Sequence, residues 1–291
     1  MMQRVLHSGP HGFLSALDAD TRQRLLGTQE AASQPPPPEY LTWWCDEEPM
    51  GLVSPARADW LTQQLPHCSH QPKGCVWHGG PLSRAQRSEV LQTALEAART
   101  QGLLTGWRNE RFSFWHSHCL QPDPRADALL DVERAGFRFL GILSHAVHVN
   151  GFLPDGRVWI ARRALSKATD PGMLDNVTAG GLPAGETVQK CLQRELAEEA
   201  GLHSLQGHLL QAAGSIRTSR VEAQGWHDEV LHVFNLTLAP DFVPHNTDGE
   251  VSEFLCLPPF ALVQRLQAGE LTADATHALH QGLRAVASDV S

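Results

Sequence analysis

The stretch GGLPAGETVQKCLQRELAEEAGL, Gly180 to Leu202, constrains what this chain can fold into more than any other. A glycine turn feeds a helix that ends in Glu195, Glu198 and Glu199. At about 100° per residue, with Glu195 at zero, Glu199 falls near about +40° and Glu198 near about −60°. On the same wheel Val188, Cys191 and Leu192 fall near about +20°, −40° and +60°. The carboxylates therefore continue the apolar stripe instead of opposing it. Burying carboxylates without a counter-charge costs several kcal/mol each or forces protonation. Near them the sequence offers only Arg194. A hard divalent cation with oxygen ligands resolves the conflict.

The remaining fixed residues fit the same chemistry. Arg194 lies one turn before Glu198, and Glu186 two turns before Arg194, so an ion pair can hold the ligands in place. Gly180 and Gly181 carry no Cβ, which lets the backbone come close to a metal or a phosphate. A bound cation that bridges phosphate oxygens and activates water suits phosphoryl chemistry. Upstream, Arg162, Arg163 and Lys167 form a cluster of cations just before the glycine turn and are expected phosphate contacts.

Length and composition bound the rest. The 291 residues are enough for two domains, and 42% hydrophobic with 19% charged is a globular composition. A formal net charge of −9 and a pI of about 5.9, with basic residues scattered, argue against a nucleic-acid partner. No apolar run reaches the roughly 18 residues of a membrane span, and MMQRVLHSGPHG lacks the order of a secretory signal. A cytoplasmic protein is expected. Six cysteines without a regular framework fit reduced thiols. Cys68, His70, Cys75 and His78 have zinc-ligand chemistry, but not a usual zinc spacing, and the chain has 16 histidines; surface or packed roles are expected for them.

Along the chain, GFLSALDADTRQRLL reads as an amphipathic helix stopped by Pro35 to Pro38, a stiff connector. Leu41 to Cys45 and a turn at Glu48 to Gly51 predict a strand pair, followed by a helix from Ala56 to Leu65 and a loop from Pro66 to Gly80. Ser83 to Gln101 predicts a helix with Ser83 as N-cap. Gly106 to Trp115 alternates as a strand, and a second helix is expected at Asp127 to Ala135. From Phe139 the texture changes. HAVHVNGFL and RVWIARRA flank a turn at Pro154 to Gly156 as a β-hairpin. After the box, LLQAAGSIRTSR, EVLHVFNLTLAP and DGEVSEFLCLP predict strands, ahead of helices at Phe260 to Gln267 and Ala273 to Val286. The order places a sheet between helices: an α+β / α/β chain, with an N-terminal mixed α/β domain over 1–135 and a second domain over 136–291.

With those residues in view, Gly180 to Leu202 resembles a complete Nudix box with every specified position present. The resemblance implies an α/β/α sandwich and Mg²⁺-dependent hydrolysis of a diphosphate, with Mn²⁺ as the alternative ion. It implies Glu195, Glu198 and Glu199 as metal ligands, Gly180 as a backbone contact to the metal site, and Glu186 and Arg194 as orienting residues. Family members differ in the carboxylate that activates water; Glu250 in DGEVSEF is the first choice here and Glu229 in WHDEV the second.

A narrower resemblance rests on GWRNE at Gly106 to Glu110, HVNGF at His148 to Phe152, PGMLDNVTAGG at Pro171 to Gly181 and DFVPHNTDGEVSEF at Asp241 to Phe254. These are similar to a Nudix subfamily with an uncharacterised N-terminal domain that is fused in fungi to thiamine pyrophosphokinase. It implies damaged thiamine diphosphate, in oxo and oxy forms, as substrate. Asn176, in the PGMLDN approach, is then a substrate contact, and Trp107, Trp115 and Trp226 are expected to line a slot for the ring. A nucleotide-linked diphosphate such as ADP-ribose or a dinucleotide, and a ligand-sensing module without turnover, are the competing readings. The partner expected throughout is a small-molecule diphosphate, with no nucleic acid and no membrane; the sequence leaves the oligomeric state open.

Overall fold

A computed structural model describes residues 8–27, 32–124, 126, 128–167 and 169–288. Met1 to His7 and Asp127, on which parts of the sequence reading fall, lie outside the described residues.

The larger sheet runs β11-β12-β7-β8-β13, with β9 added to β8 and β10 to β7. Its strands are β7 (Ser144–Phe152), β8 (Val158–Arg163), β9 (Leu174–Asp175), β10 (Thr178–Gly181), β11 (Leu209–Glu222), β12 (Gly225–Thr237) and β13 (Val251–Leu257). Central β7 is buried along its whole length, as a strand covered on both faces must be. Its odd residues Val147 and Val149 pack with Cys191, Leu192 and Leu196 of helix α6 (Val188–Ala200). Its even residues turn the other way: Ala146 packs with Ala278 of helix α8 (Ala273–Ser288), and Phe152 with Leu279 and Leu283. The period-2 alternation of a strand thus generates an α/β/α sandwich. The expected hairpin is β7–β8, with Gly151 opposite Trp159 and Phe152 opposite Val158.

Earlier in the chain a second sheet, β2-β1-β4-β3, is built from β1 (Leu41–Cys45), β2 (Glu48–Val53), β3 (Cys68–Gln71) and β4 (Gly74–Trp77). Helix α3 (Pro55–Gln64) packs on it through Ala58, Trp60 and Leu61. Helix α4 (Arg84–Thr100) begins in a capping box: Ser83 accepts from the Gln86 backbone, and the Gln86 side chain accepts from the Ser83 backbone. It rests against the pair β5 (Arg111–Phe114) and β6 (Leu130–Glu133). The core of this half extends through Phe137, Phe139 and Leu140 of α5 (Ala135–Leu140) to Val230 of the larger sheet. Helices α1 (Gly9–Ser15) and α2 (Ala19–Gly27), with the turn that splits the expected single helix in two, contribute Phe13, Leu14, Leu17 and Leu25 to the cluster around α8. There Phe13 meets Phe152 edge-on with centroids 6.0 Å apart. Helix α7 (Pro259–Gln267) completes the larger unit.

Four local expectations are corrected. Pro66 to Gly80 contains the β3–β4 hairpin instead of a loop; β4 crosses so close to β1 that a Cβ on Gly74 would lie 1.8 Å from the Thr42 carbonyl oxygen, so a glycine that reads as a loop signal is required inside the sheet. The β1–β2 turn falls at Asp46 and Glu47, before Glu48, with Asp46 at φ 52°. The helix expected up to Ala135 is instead strand β6, whose Leu130 and Val132 are fully buried at a spacing of two, followed by α5. The strand expected from Gly106 shrinks to Arg111–Phe114, because Gly106 and Asn109 take left-handed backbone that ends it. No helix among the described residues is long and apolar enough to cross a membrane.

Candidate active site

Helix α6 starts at Thr187, whose hydroxyl accepts from the Lys190 backbone. It packs its apolar stripe under β10 and β7. That packing places the three box glutamates unequally. Glu195 and Glu199 are 8% and 5% exposed, whereas the Glu198 side chain is 45% exposed. The helical wheel put all three on the buried stripe; the structure leaves Glu198 at its open margin.

Arg194 sits among the acids. Its Nη1 donates to Glu195 Oε1 at 2.7 Å and to Glu198 Oε2 at 3.1 Å, and its Nε donates to Glu186 Oε1 at 3.2 Å. Burial opposes its charge, but Glu195 and Glu186 hold the guanidinium firmly protonated. Glu195 lies against Gly180, where a Cβ would come within 2.0 Å of its carboxyl carbon. Only glycine admits that contact. Burial pushes the Glu195 carboxyl up in spite of Arg194.

Glu199 has different surroundings. It is buried, and its Oε2 accepts from the Ala179 backbone N–H at 2.8 Å. Burial first, and the neighbouring Glu195 second, raise its carboxyl well above the ordinary range. A group so placed needs a positive charge to stay ionised. The loop after β12 brings two more carboxylates to it. Thr247 donates to the Glu198 carbonyl oxygen from its N–H at 2.9 Å and from its hydroxyl at 2.7 Å. An Asx turn follows, in which Gly249 N–H donates to Asn246 Oδ1 at 2.6 Å. Ligand atoms of Glu199, Asp248 and Glu250 consequently lie within 4.8 Å of one another. Three hard oxygen donors, one of them buried, fit a Mg²⁺-type ion. Lys167 forms an ion pair with Glu250; burial raises the Glu250 carboxyl, but Lys167 outweighs it and holds the group below its usual range.

Asp248 is a residue that the sequence reading missed. Its only signal was the Asp-Gly pair two residues before Glu250.

Beside the box opens a cleft of about 980 Å³. Ala179, Gly180, Gly181, Arg163 and Lys167 line one end, and Glu229, Arg220, Asp274 and Arg138 the other. Arg163 is tied to Asp175 at 2.7 Å and to the Thr169 carbonyl oxygen. Arg162 leaves the strand on the other side, where it pairs with Glu253 and donates to the Gly172 carbonyl oxygen, and it does not line the cleft. Neither does Asn176, which is buried between His148 Nδ1 at 2.8 Å and Asn150 Oδ1 at 2.8 Å.

The tryptophans lie elsewhere. Trp107 donates to Asn109 and carries Arg99 over its ring at 4.9 Å. Trp115 stands edge-on to His145, and Trp226 is 3% exposed beside Tyr40 at a separate small pocket. Glu229 belongs to the far wall of the cleft with His227 and Asp274, not to the Glu199 cluster. Among the described residues, neither group of three or more convergent ligand atoms includes Cys68, His70, Cys75 or His78.

Comparison with known proteins agrees with this geometry. The NUDIX domain family model matches residues 144–279. Nudix hydrolase 24, chloroplastic, of Arabidopsis thaliana is 34% identical over 176 residues, 60% of this chain and 47% of that protein. Nudix hydrolase 20, chloroplastic, of the same plant is 30% identical over 232 residues, 76% of this chain and 60% of that protein. An uncharacterised Nudix hydrolase of Nostoc sp. is 31% identical over 124 residues, 42% of this chain and 69% of that protein. The chain thus spans about half to three fifths of the length of the two plant relatives. The sandwich, the intact box and these matches together place the chain in the Nudix family.

Proposed function

We propose that this protein is a divalent-metal-dependent pyrophosphohydrolase that cleaves the diphosphate of a small molecule to a monophosphate ester and inorganic phosphate. The observation that carries the reading is the convergence of Glu199, Asp248 and Glu250 next to Ala179–Gly181, where the backbone meets the cleft.

In this reading Glu199 and Asp248 would hold Mg²⁺, with Glu195, Glu198 and the Gly180 backbone as the further ligands the box would supply, and Arg194 and Glu186 would fix their orientation. When bound, the ion neutralises phosphate charge and lowers the pKa of water. Glu250, kept ionised by Lys167, accepts the proton of the attacking water at a carboxylate oxygen. Water adds to phosphorus as the bridging P–O bond breaks, and the bridging oxygen leaves on the other phosphate. Lys167 and Arg163 face the cleft where the substrate's phosphates would lie.

The substrate favoured is thiamine diphosphate or its damaged oxo and oxy forms, supported by the similarity of the GWRNE, PGMLDNVTAGG and DGEVSEF segments to the thiamine-linked subfamily. In the same reading the N-terminal domain expected over 1–135 is a unit from β1 onward, supported by the separate sheet β1–β4, whereas α1 and α2 pack with α8 of the larger unit. Incubation with Mg²⁺ and a panel of thiamine diphosphate analogues, ADP-ribose and dinucleotides, with phosphate and monophosphate release measured, tests the proposal. Release from at least one diphosphate is expected, fastest from the thiamine forms. No turnover of any of them would sink the enzyme reading, and turnover of the nucleotides alone would remove the thiamine assignment.

A further inference from the structure

The wall of the cleft opposite the box is built from side chains far apart in sequence. Arg220 grips Asp274 with two hydrogen bonds, 2.8 and 2.9 Å, and pairs with Glu222 at 2.6 Å. Arg138 pairs with Glu222 at 3.1 Å and donates from Nε to His227 Nδ1 at 3.1 Å. Behind them Arg217 holds Asp228 through two bonds, 2.7 and 2.6 Å. Each of these acids already has its cation.

Glu229 does not. It projects from β12 into the cleft with its side chain 15% exposed. Its Oε1 accepts from the Ser144 hydroxyl at 2.8 Å, and the nearest basic group is the His227 ring at 4.0 Å. Among the described residues no lysine or arginine forms an ion pair with it; Arg220 acts on it only from beyond ion-pair distance, with its own nitrogens committed to Glu222 and Asp274. Asp170, another cleft acid without such a cation, has no side-chain hydrogen bond among the described residues to hold its carboxylate.

His227, Glu229 and Asp274 converge within 4.8 Å, but a metal does not suit them. Arg138 occupies the Nδ1 lone pair, which puts the ring proton on Nε2 and leaves no nitrogen to ligate. Asp274 spends both oxygens on Arg220. What remains on this wall is one oriented, mostly desolvated carboxylate with spare acceptor capacity, and such a group calls for a donor.

Its position sets a length. Gly181 is in register with Ala146 on one edge of β7, and Glu229 with Ser144 on the other. Two strand spacings and two residues of rise separate the two backbones by about 12 Å. A molecule with its diphosphate at Gly180–Gly181 therefore reaches Glu229 with the far end of its organic group.

We propose that Glu229, oriented by Ser144, is the specificity-determining carboxylate of this cleft, and that the substrate is a diphosphate ester whose organic group presents an N–H donor or a cationic nitrogen to it. The inference rests on the diphosphate reading above. It is tested by binding rather than turnover, in an E198Q background that suppresses hydrolysis. Two probes are used: thiamine diphosphate, which carries an aminopyrimidine and a cationic thiazolium, and geranyl diphosphate, which carries no nitrogen.

The protein with Glu229 intact should bind the nitrogenous probe more tightly, and E229Q should erase about tenfold to a hundredfold of that preference while leaving geranyl diphosphate affinity unchanged. S144A should erase a smaller part. A preference unchanged by E229Q, an equal loss for both probes, or an initial preference for geranyl diphosphate overturns the assignment. An unfolding midpoint measured alongside separates misfolding from lost recognition, and E229D, which keeps the charge, should recover part of the preference. Failure of the hydrolysis panel with this selectivity intact would instead remove the catalytic reading alone.

Discussion

The two ends of the cleft handle buried charge in opposite ways. At the box, among the described residues, Glu186, Glu195, Glu198, Glu199, Asp248 and Glu250 have two ion-pairing cations between them, Arg194 and Lys167. On the far wall Arg138, Arg217 and Arg220 are matched against Glu222, Asp228 and Asp274, and Glu229 has no lysine or arginine ion-pair partner among the described residues. Buried acids such as Glu195 and Glu199 are unstable unless something neutralises them, so in the proposed reading the box end receives a cation. The matched wall is built to stand by itself. The same residue types serve chemistry at one end and architecture at the other, and the difference lies in the count of partners.

Three experiments press on that contrast. The largest effect is expected from Glu198→Gln, which removes a half-exposed box carboxylate. Turnover should fall by about a hundredfold or more, while the unfolding midpoint barely moves, as for a surface substitution; unchanged kcat would refute the ligand assignment. On the far wall the pattern should invert. Asp274→Asn leaves Arg220 buried without its bidentate partner, at a cost of about 3 kcal/mol, read by denaturant unfolding. Its effect on Mg²⁺ affinity, measured by titration, should be small, and a large loss of metal binding with unchanged stability would erase the distinction between the two ends.

The smallest effect involves pH. His145 and His232 stack with centroids 5.4 Å apart. Burial, with His232 adding to it for His145, pushes their pKa values down to about 3 and about 4 from 6.5. Both are neutral when folded, so the unfolded chain binds more protons below pH 6.5. Their contribution is complete above that value and is lost as pH falls toward about 4 and then 3, with a slope of about 1 kcal/mol per pH unit for each ring. His232→Gln should flatten the decline in thermal midpoint between pH 6.5 and 4; an equally steep profile would show that other groups control acid stability.

Local patterns were legible where the chain speaks at short range. The place of Ser83 before an apolar stripe marks it as an N-cap, and alternation around Pro154 to Gly156 marks the β7–β8 hairpin. The acids of α6 stood out because carboxylates on an apolar stripe violate the usual partition. Short strands with polar or close-packed residues were not legible: Gly74 looks like a loop residue until the Thr42 carbonyl is seen beneath it. Nor was Asp248, an exposed loop acid in a chain with 32 acidic residues. Thr247, by bonding to the Glu198 carbonyl, and His245, whose N–H donates to the Ala200 carbonyl oxygen, help bring it to the site. The expected aromatic slot shows the converse limit, since Trp107, Trp115 and Trp226 each found a packing partner away from the cleft.

By itself the sequence determined that a helix with buried acids follows a glycine turn, because helical periodicity is set by residues within a few positions of each other. Which acids converge was decided only by tertiary structure. Glu195 faces Arg194 and Gly180, Glu199 meets a loop some fifty residues further on, and Glu229 is left across the sheet with no lysine or arginine ion-pair partner among the described residues. Carboxylates act together only within a few ångströms, and no spacing along the chain encodes a distance closed by the packing of three strands and a loop.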